Sequence, residues 1–222
     1  MDYGQAFSYP QQDPDWVKKW GIAGALSIIP ILGQLLVTGY GVEVTRRVIQ
    51  AEPQPLPEWS DFGGFLRKGF GVLVIALVHM LPLIVLAVCA VVPAVGLSAM
   101  GNADEDTVGT IGGLIGACLG CLGALYGVVA GLLLQPAIAR YAVTDQISAG
   151  LRVAENFALL RGKPAVFLGA WLLSALAASV LSSVGAIACG LGSLWGAAYA
   201  ALAGAHLTAQ AYREASSTGM AP

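Results

Sequence analysis

The sequence predicts an all-α membrane protein, built as a bundle of four full transmembrane helices plus a proline-broken helical segment at the N-terminus. Only 11% of the 222 residues are charged and 57% are hydrophobic, whereas about a quarter of the residues in a soluble domain carry a charge. Several uncharged runs are long enough to cross a bilayer. The net charge of −2, with no basic patch, argues against nucleic acid as a partner.

Residues 1–19 are polar and lack the basic start and short apolar core of a signal peptide. The turn-forming Asp13, Pro14 and Asp15 favour a disordered or interfacial tail. We therefore expect a polar N-terminal tail, followed by a transmembrane helical domain over residues 20–215 and a flexible C-terminal tail over residues 216–222.

The first apolar segment, about residues 20–45, contains Pro30 near its middle. Proline removes a helix hydrogen bond and clashes with the preceding turn. Two interpretations stay open: a re-entrant pair of half-helices, and a kinked helix that crosses once. A single crossing would leave Lys18 and Lys19 outside, against the preference of basic residues for the cytoplasm.

Four further segments predict full transmembrane helices, at about residues 69–97, 108–139, 164–184 and 190–212. The last two form one uncharged run that is too long for a single crossing, because a helix rises about 1.5 Å per residue and the hydrocarbon layer is about 30 Å thick. The glycine-rich run Gly185–Gly192 is the predicted turn between them.

The eleven basic residues predict the orientation of the bundle in the plasma membrane. None lies in loop 101–107, which carries acidic residues instead. The positive-inside rule places loops 46–68 and 140–163 and the C-terminus in the cytoplasm, and loop 101–107 outside. Residues 144–160 favour either an amphipathic helix on the cytoplasmic surface or an extension of the third helix.

Two helices are predicted to carry faces of small residues. At about 100° per residue, the six glycines of the third span lie within roughly 100° of arc. Such faces allow helix backbones to approach closely in lipid. The partner is either another helix of the same chain, or a second copy or a larger membrane complex. The residues are Gly112, Gly116, Gly120, Gly123, Gly127 and Gly131 in the third span, and Gly192, Gly196, Ala200 and Gly204 in the last.

Polar residues in the first segment form a candidate site, because ionisable groups inside membrane segments are rare. Glu43 has Arg46 and Arg47 three and four residues further on, within reach of an ion pair on a helix. Its role is either that of a paired charge at the interface or that of a proton or cation ligand. Gln34 and Tyr40 complete the candidate site.

His79 and His206 are the two histidines of the chain. Under the predicted topology they lie in the cytoplasmic halves of two helices, where two imidazoles could ligate a haem iron; hydrogen bonding between helices is the alternative. Cys118 and Cys121 have the spacing of a redox or metal pair, but no second pair completes a four-ligand site. We predict no cofactor, no metal site and no catalytic residue.

Several segments together resemble an uncharacterised family of bacterial and archaeal membrane proteins, the domain of unknown function 4013. The resemblance is carried by Trp20–Pro30, Gly39-Tyr40, Arg46-Arg47, Pro55–Gly63 and Gly204–Arg213. It implies an integral membrane protein with several helices and carries no assigned activity.

The scarcity of catalytic groups and the abundance of packing glycines favour a non-enzymatic membrane subunit or scaffold. Its partners would be the lipid bilayer and a second copy or a larger membrane complex. A transporter or channel component that uses the broken first helix is the alternative, because half-helix ends often form binding sites. A redox protein that binds haem through the two histidines is a further alternative.

Overall fold

The computed structural model describes residues 1–99, 105–187 and 190–218, and within these ranges all regular secondary structure is helical. Most of the predicted acidic loop, residues 101–104, lies outside the described residues, as do residues 219–222 of the predicted C-terminal tail. The helices are α1 (Tyr3–Ser8), α2 (Trp16–Leu26), α3 (Leu32–Gln50), α4 (Phe62–Ala99), α5 (Glu105–Thr144), α6 (Ile147–Leu151), α7 (Val153–Gly162), α8 (Pro164–Ile187) and α9 (Gly192–Thr218).

The chain divides into two compact units. Unit 1 comprises residues 1–75 and 132–222, and unit 2 comprises residues 76–131. All of α1, α2, α3, α6, α7, α8 and α9 belongs to unit 1. The polar and ionic contacts of the candidate site described below lie within unit 1.

The N-terminal residues 1–19 are folded, so the disordered alternative for this tail is wrong, whereas the interfacial one stays a prediction. Helix α1 places Ala6 in a buried cluster with Phe167 of α8 and Leu207 of α9. Tyr9 lies in a second buried cluster with residues of α3 and α9. The polar composition of this segment suggested disorder, but its few apolar side chains are the ones that pack on the helical bundle.

Helices α2 and α3 fold back on each other around a tight turn at residues 27–31. Ala23 of α2 and Val37 of α3 share one buried cluster, and a Cβ on Gly33 would lie 1.8 Å from the carbonyl oxygen of Leu26. The backbone at Ile31 has φ 65° and ψ −66°, the strained conformation of a γ-turn. The segment is therefore a helical hairpin, and a single kinked helix does not describe it.

Three helices are long and apolar enough to cross a membrane, over Phe62–Cys89, Gly112–Thr144 and Pro164–Ile187. They coincide with the second, third and fourth predicted segments. Helix α9 has the length for a crossing but is not among the three, because its polar side chains lower its hydropathy. Length and hydropathy therefore support three of the four predicted full crossings.

Helices α8 and α9 form an antiparallel pair with close backbone contact. A Cβ on Gly196 would lie 2.2 Å from the carbonyl oxygen of Leu181, and one on Gly185 would lie 2.3 Å from that of Gly192. Further along the pair, Gly204 lies against the side chain of Ser174. The small residues of α9 are therefore occupied by a helix of the same chain. The turn between the two helices contains Gly190, whose φ of 77° favours glycine.

The glycine face of α5 has different surroundings. Within unit 2, no described residue outside the helix's own backbone comes within 4 Å of a Cβ built on Gly112, Gly116, Gly120 or Gly127. Gly123, by contrast, lies close to the side chain of Leu83 of α4, at 3.3 Å. Most of the predicted face is therefore open within the described part of unit 2.

The predicted amphipathic helix over residues 144–160 is two short helices, α6 and α7, separated at Arg152. Ile147 and Leu151 pack against a buried cluster that includes Ile75 and Tyr141. Because the helix is interrupted at Arg152, the apolar residues of α7 do not continue the apolar face formed by those of α6. The alternative, an extension of the third helix beyond residue 139, holds only as far as Thr144, where α5 ends.

Candidate functional site

A proline-rich connection between α3 and α4, residues 51–61, is held tightly against the α2–α3 hairpin; we call it the strap. The indole of Trp59 stacks on the ring of Tyr40, with centroids 4.1 Å apart, and donates a hydrogen bond to the carbonyl of Lys19 at 2.9 Å. The hydroxyl of Tyr40, a residue only 1% exposed, donates to the carbonyl of Pro57 at 2.9 Å. The predicted site residue Tyr40 therefore acts as an anchor for the strap.

A buried ion pair joins the N-terminal segment to the same strap. The ammonium group of Lys19, a residue 5% exposed, lies 2.8 Å from Asp13 and 2.7 Å from Glu58, and donates to the carbonyl of Leu56 at 3.1 Å. Burial raises the pKa of the Asp13 carboxyl, but the hydrogen bond and charge of Lys19, together with backbone N–H bonds from Asp15 and Leu56, outweigh that effect and hold the pKa below its usual range. Lys19 is thus a structural cation inside the fold.

Glu43 lies at the centre of a cationic cluster. Arg46 forms an ion pair with Glu43 from one turn further along α3, and Arg47 lies 3.6 Å from the same carboxylate. Lys68 of α4 also forms an ion pair with Glu43. The two arginine contacts follow from helical spacing, whereas Lys68 was missed because it lies on another helix. With three cations around it, Glu43 has the environment of a paired structural charge.

A cavity of about 620 Å³ lies between the N-terminal segment, the end of α3 and α9. Its lining includes Tyr9, Arg47, Glu52, His206 and Arg213. Burial raises the pKa of Tyr9 to about 12, so its hydroxyl stays protonated and donates to the carbonyl of the strap at Pro55, 2.8 Å away. Sequence reasoning missed this cavity, because its walls come from three distant parts of the chain.

His206 is one of the two histidines proposed as haem ligands. Its ring lies 4.3 Å from the ring of Tyr9, and its Nε2 atom lies 2.7 Å from the side-chain nitrogen of Gln210. Both contacts are within unit 1. They give the ring a packing and hydrogen-bonding role.

His79 lies in unit 2, where its carbonyl accepts a hydrogen bond from the hydroxyl of Tyr126. The haem hypothesis stays an untested prediction. Cys118 and Cys121 are free and exposed on α5. Among the residues that the structure describes, no three histidine, cysteine or acidic side chains form a cluster able to hold a metal ion.

Gln34, the remaining predicted site residue, is exposed near the start of α3. The structure therefore brings Glu43, Arg46 and Arg47 together, places Tyr40 under the strap, and leaves Gln34 apart from both. The side chains of Tyr40, Glu43, Arg46 and Arg47 are thus engaged by contacts within the chain.

The profile of a family described as "Protein of unknown function (DUF4013)" matches residues 22–190. That range covers more than half of the chain, so the protein belongs to this family, as the resemblance predicted. No curated protein and no solved structure shows significant similarity to it.

Proposed function

We propose that this DUF4013 protein is a non-enzymatic membrane subunit or scaffold that associates through the open glycine face of α5. The observation that carries the proposal is the contrast between its two small-residue faces. The face on α9 is filled by α8 within unit 1, whereas four glycines of the α5 face have no described neighbour within 4 Å in unit 2.

An unfilled glycine face is costly in a helix. Each glycine lowers helix stability by about 1 kcal/mol relative to alanine, and only close helix contact offsets that loss through dispersion. The opposite side of α5 is bulky, with Leu114 and Leu125 exposed. Bulky apolar side chains are suited to lipid, and the glycines to a partner helix. A second copy of the chain or a helix of a larger complex is the expected partner.

The proposed membrane arrangement adds α9 as a fourth crossing to α4, α5 and α8. Support comes from the pairing of α9 with α8 from Gly192 to Gly204, and from the hydrogen bonds that Trp195 and Tyr199 of α9 donate to backbone carbonyls of α2 and α1. The α2–α3 hairpin would enter the membrane without crossing, because Ile28, Ile31 and Leu32 at its tip are exposed and apolar. Loops 46–68 and 140–163 and the C-terminus would lie in the cytoplasm.

A pair of substitutions on one turn of α5 tests the association. Gly120→Leu places bulk on the glycine face, whereas Cys118→Leu places it about 160° around the helix. We expect native mass spectrometry from lipid nanodiscs to show one defined oligomer or fixed complex for the wild type and for Cys118→Leu. Gly120→Leu should weaken it at least tenfold, which corresponds to about 1.4 kcal/mol.

The association proposal fails if the wild type is a monodisperse monomer without a partner, or if both variants assemble equally well. Cysteine-accessibility mapping tests the membrane arrangement separately. Single cysteines at positions 55 and 146 should react only with reagent on the cytoplasmic side, one at position 105 only from outside, and one at position 31 from neither side. Labelling of position 31 from outside would show that the hairpin crosses.

A further inference from the structure

Helix α7 has one side packed against the bundle, which fixes the direction of its other side. The fully buried Asn156 donates from Nδ2 to the carbonyl of Gly150 at 2.7 Å, and its Oδ1 accepts from Arg140 at 3.2 Å. Leu159 and Leu160 pack against the buried cluster that α1, α8 and α9 form. At about 100° per residue, these inward side chains of α7 cover roughly 100° of its surface. The orientation of the helix is therefore set by contacts within unit 1.

The opposite side of α7 is apolar and exposed. Val153 is 47% exposed and Phe157 is 52% exposed, and Ala154 and Ala158 beside them are exposed as well. The four side chains cover roughly 140° of arc on the helix. Exposed apolar side chains that share one face mark a surface for another protein or for a membrane. The outer side of α7 is therefore a candidate interaction surface.

The charged residues of α7 lie on different sides of the helix. Glu155, its acidic residue, forms ion pairs with Arg140 and Arg152. It lies about 160° around the helix from Phe157. Arg161 lies only about 40° from Phe157 and is exposed, and its side chain has no hydrogen bond or ion pair among the described residues. The apolar side thus carries an accessible cation and no carboxylate of its own helix.

The neighbouring spans place α7 at a membrane surface. The candidate spans Gly112–Thr144 and Pro164–Ile187 belong to α5 and α8, on either side of the α6–α7 segment. Residues 145–163 between them are too rich in charge to cross the membrane again, so both spans meet the same surface at these ends. Lipid is present at that surface whichever way the bundle is oriented. It is also the partner that fits an apolar helix side with an accessible cation.

We propose that the exposed side of α7 binds the headgroup layer of the bilayer and selects anionic phospholipid. Val153 and Phe157 enter the boundary between headgroups and acyl chains, as the apolar side of an interfacial helix does. The aliphatic stem of Arg161 lies along this boundary, and its guanidinium binds a lipid phosphate through paired N–H donors. An anionic headgroup such as that of phosphatidylglycerol is favoured, because the accessible charge on this side of the helix is positive.

The lipid contact is narrower than the amphipathic helix that the sequence predicted over residues 144–160. It is limited to α7, because Ile147 and Leu151 of α6 pack inside the protein. It depends on the spans in α5 and α8 and not on the glycine face of α5, so a monomeric protein would bind lipid through α7 in the same way.

Fluorescence quenching in nanodiscs tests both the lipid contact and its selectivity. The full-length chain, with its native cysteines replaced by alanine, carries a bimane fluorophore on a single cysteine at position 154, which leaves Val153 and Phe157 in place. A label at position 146, an exposed residue between α5 and α6, is the aqueous control. We expect phospholipids with a doxyl quencher near the top of the acyl chain to quench position 154 strongly and position 146 weakly.

Selectivity is measured with quencher lipids at equal mole fraction. Doxyl-labelled phosphatidylglycerol should be enriched about fivefold over doxyl-labelled phosphatidylcholine near position 154, which is the effect of one basic residue at a membrane surface. Arg161→Gln should abolish that enrichment. The control Arg152→Gln removes an equal charge from the side of the helix that faces Glu155 and should keep the enrichment.

The two measurements fail in different ways. Quenching at position 154 no stronger than that at position 146 would show that α7 does not contact lipid. Equal quenching of position 154 by the two lipids, an enrichment that survives Arg161→Gln, or an equal loss in both variants would overturn the selection of anionic phospholipid through Arg161.

Discussion

The closest approach between helices α3 and α4 depends on glycine, and adding one methyl group there should destabilise the protein. A Cβ on Gly39 would lie 1.8 Å from the carbonyl oxygen of Phe65, and one on Gly69 would lie 1.9 Å from that of Leu35. Real Cβ contacts essentially never fall below 3.0 Å, so Gly39→Ala requires the helices to separate locally by about 1.2 Å. The atoms in contact belong to backbone, so no side chain can rotate away.

Overpacking of a tightly packed interface costs about 1–3 kcal/mol, and a backbone-to-backbone clash belongs at the upper end of that range. For a chain of this size, about 3 kcal/mol corresponds to a fall in Tm of about 6–12 °C. Circular dichroism in detergent, followed through thermal unfolding, measures that shift.

Gly41→Ala provides the matched control, two residues further along the same helix. Nothing lies within 4 Å of a Cβ at that position, and alanine is favoured over glycine inside a helix by about 0.5–1 kcal/mol. Its Tm should equal or slightly exceed that of the wild type. Equal Tm values for both variants would refute the reasoning, because the two helices would then not be in the close contact described.

Two further predictions concern the contacts that hold the strap and the N-terminal segment. Asp13 has a folded-state pKa below its usual value, so its pairing with Lys19 stabilises the protein above about pH 4 and is lost as the pH falls further. The difference in unfolding free energy between the wild type and Asp13→Asn, measured by urea unfolding at several pH values, should therefore shrink below about pH 4. A difference that stays constant with pH would contradict the assignment. Tyr40→Phe removes the hydrogen bond to the carbonyl of Pro57. It should lower the free energy of unfolding by about 1–3 kcal/mol and speed proteolysis of the strap. The control Tyr212→Phe, whose hydroxyl has no hydrogen bond in the described structure, should match the wild type in unfolding free energy and in proteolysis rate.

The features that the sequence predicted well are those that depend on neighbours along the chain. The all-α class follows from apolar runs whose length is matched to a bilayer, and three of them have the properties of membrane spans. The ion pairs of Glu43 with Arg46 and Arg47 follow from helical spacing alone. The turn before α9 was also predicted, because a run of glycines favours the positive φ angles that tight turns require.

Other features depend on residues far apart in the sequence, and no local pattern encodes them. The polar N-terminal segment looks disordered by composition, yet Ala6 and Tyr9 are buried by helices almost two hundred residues away. The stacking of Tyr40 on Trp59 and the cavity around His206 have the same origin.

The two glycine faces illustrate the difference between features that local spacing predicts and features that long-range packing decides. Spacing along the helix determined that small residues of α5 and of α9 each form one face, because that geometry is fixed by 3.6 residues per turn. Only the tertiary structure decided that the face on α9 is filled by α8, while most of the face on α5 is open within the described part of unit 2. The identity of the helix opposite a face is set by packing between distant segments, and spacing within one helix carries no information about it.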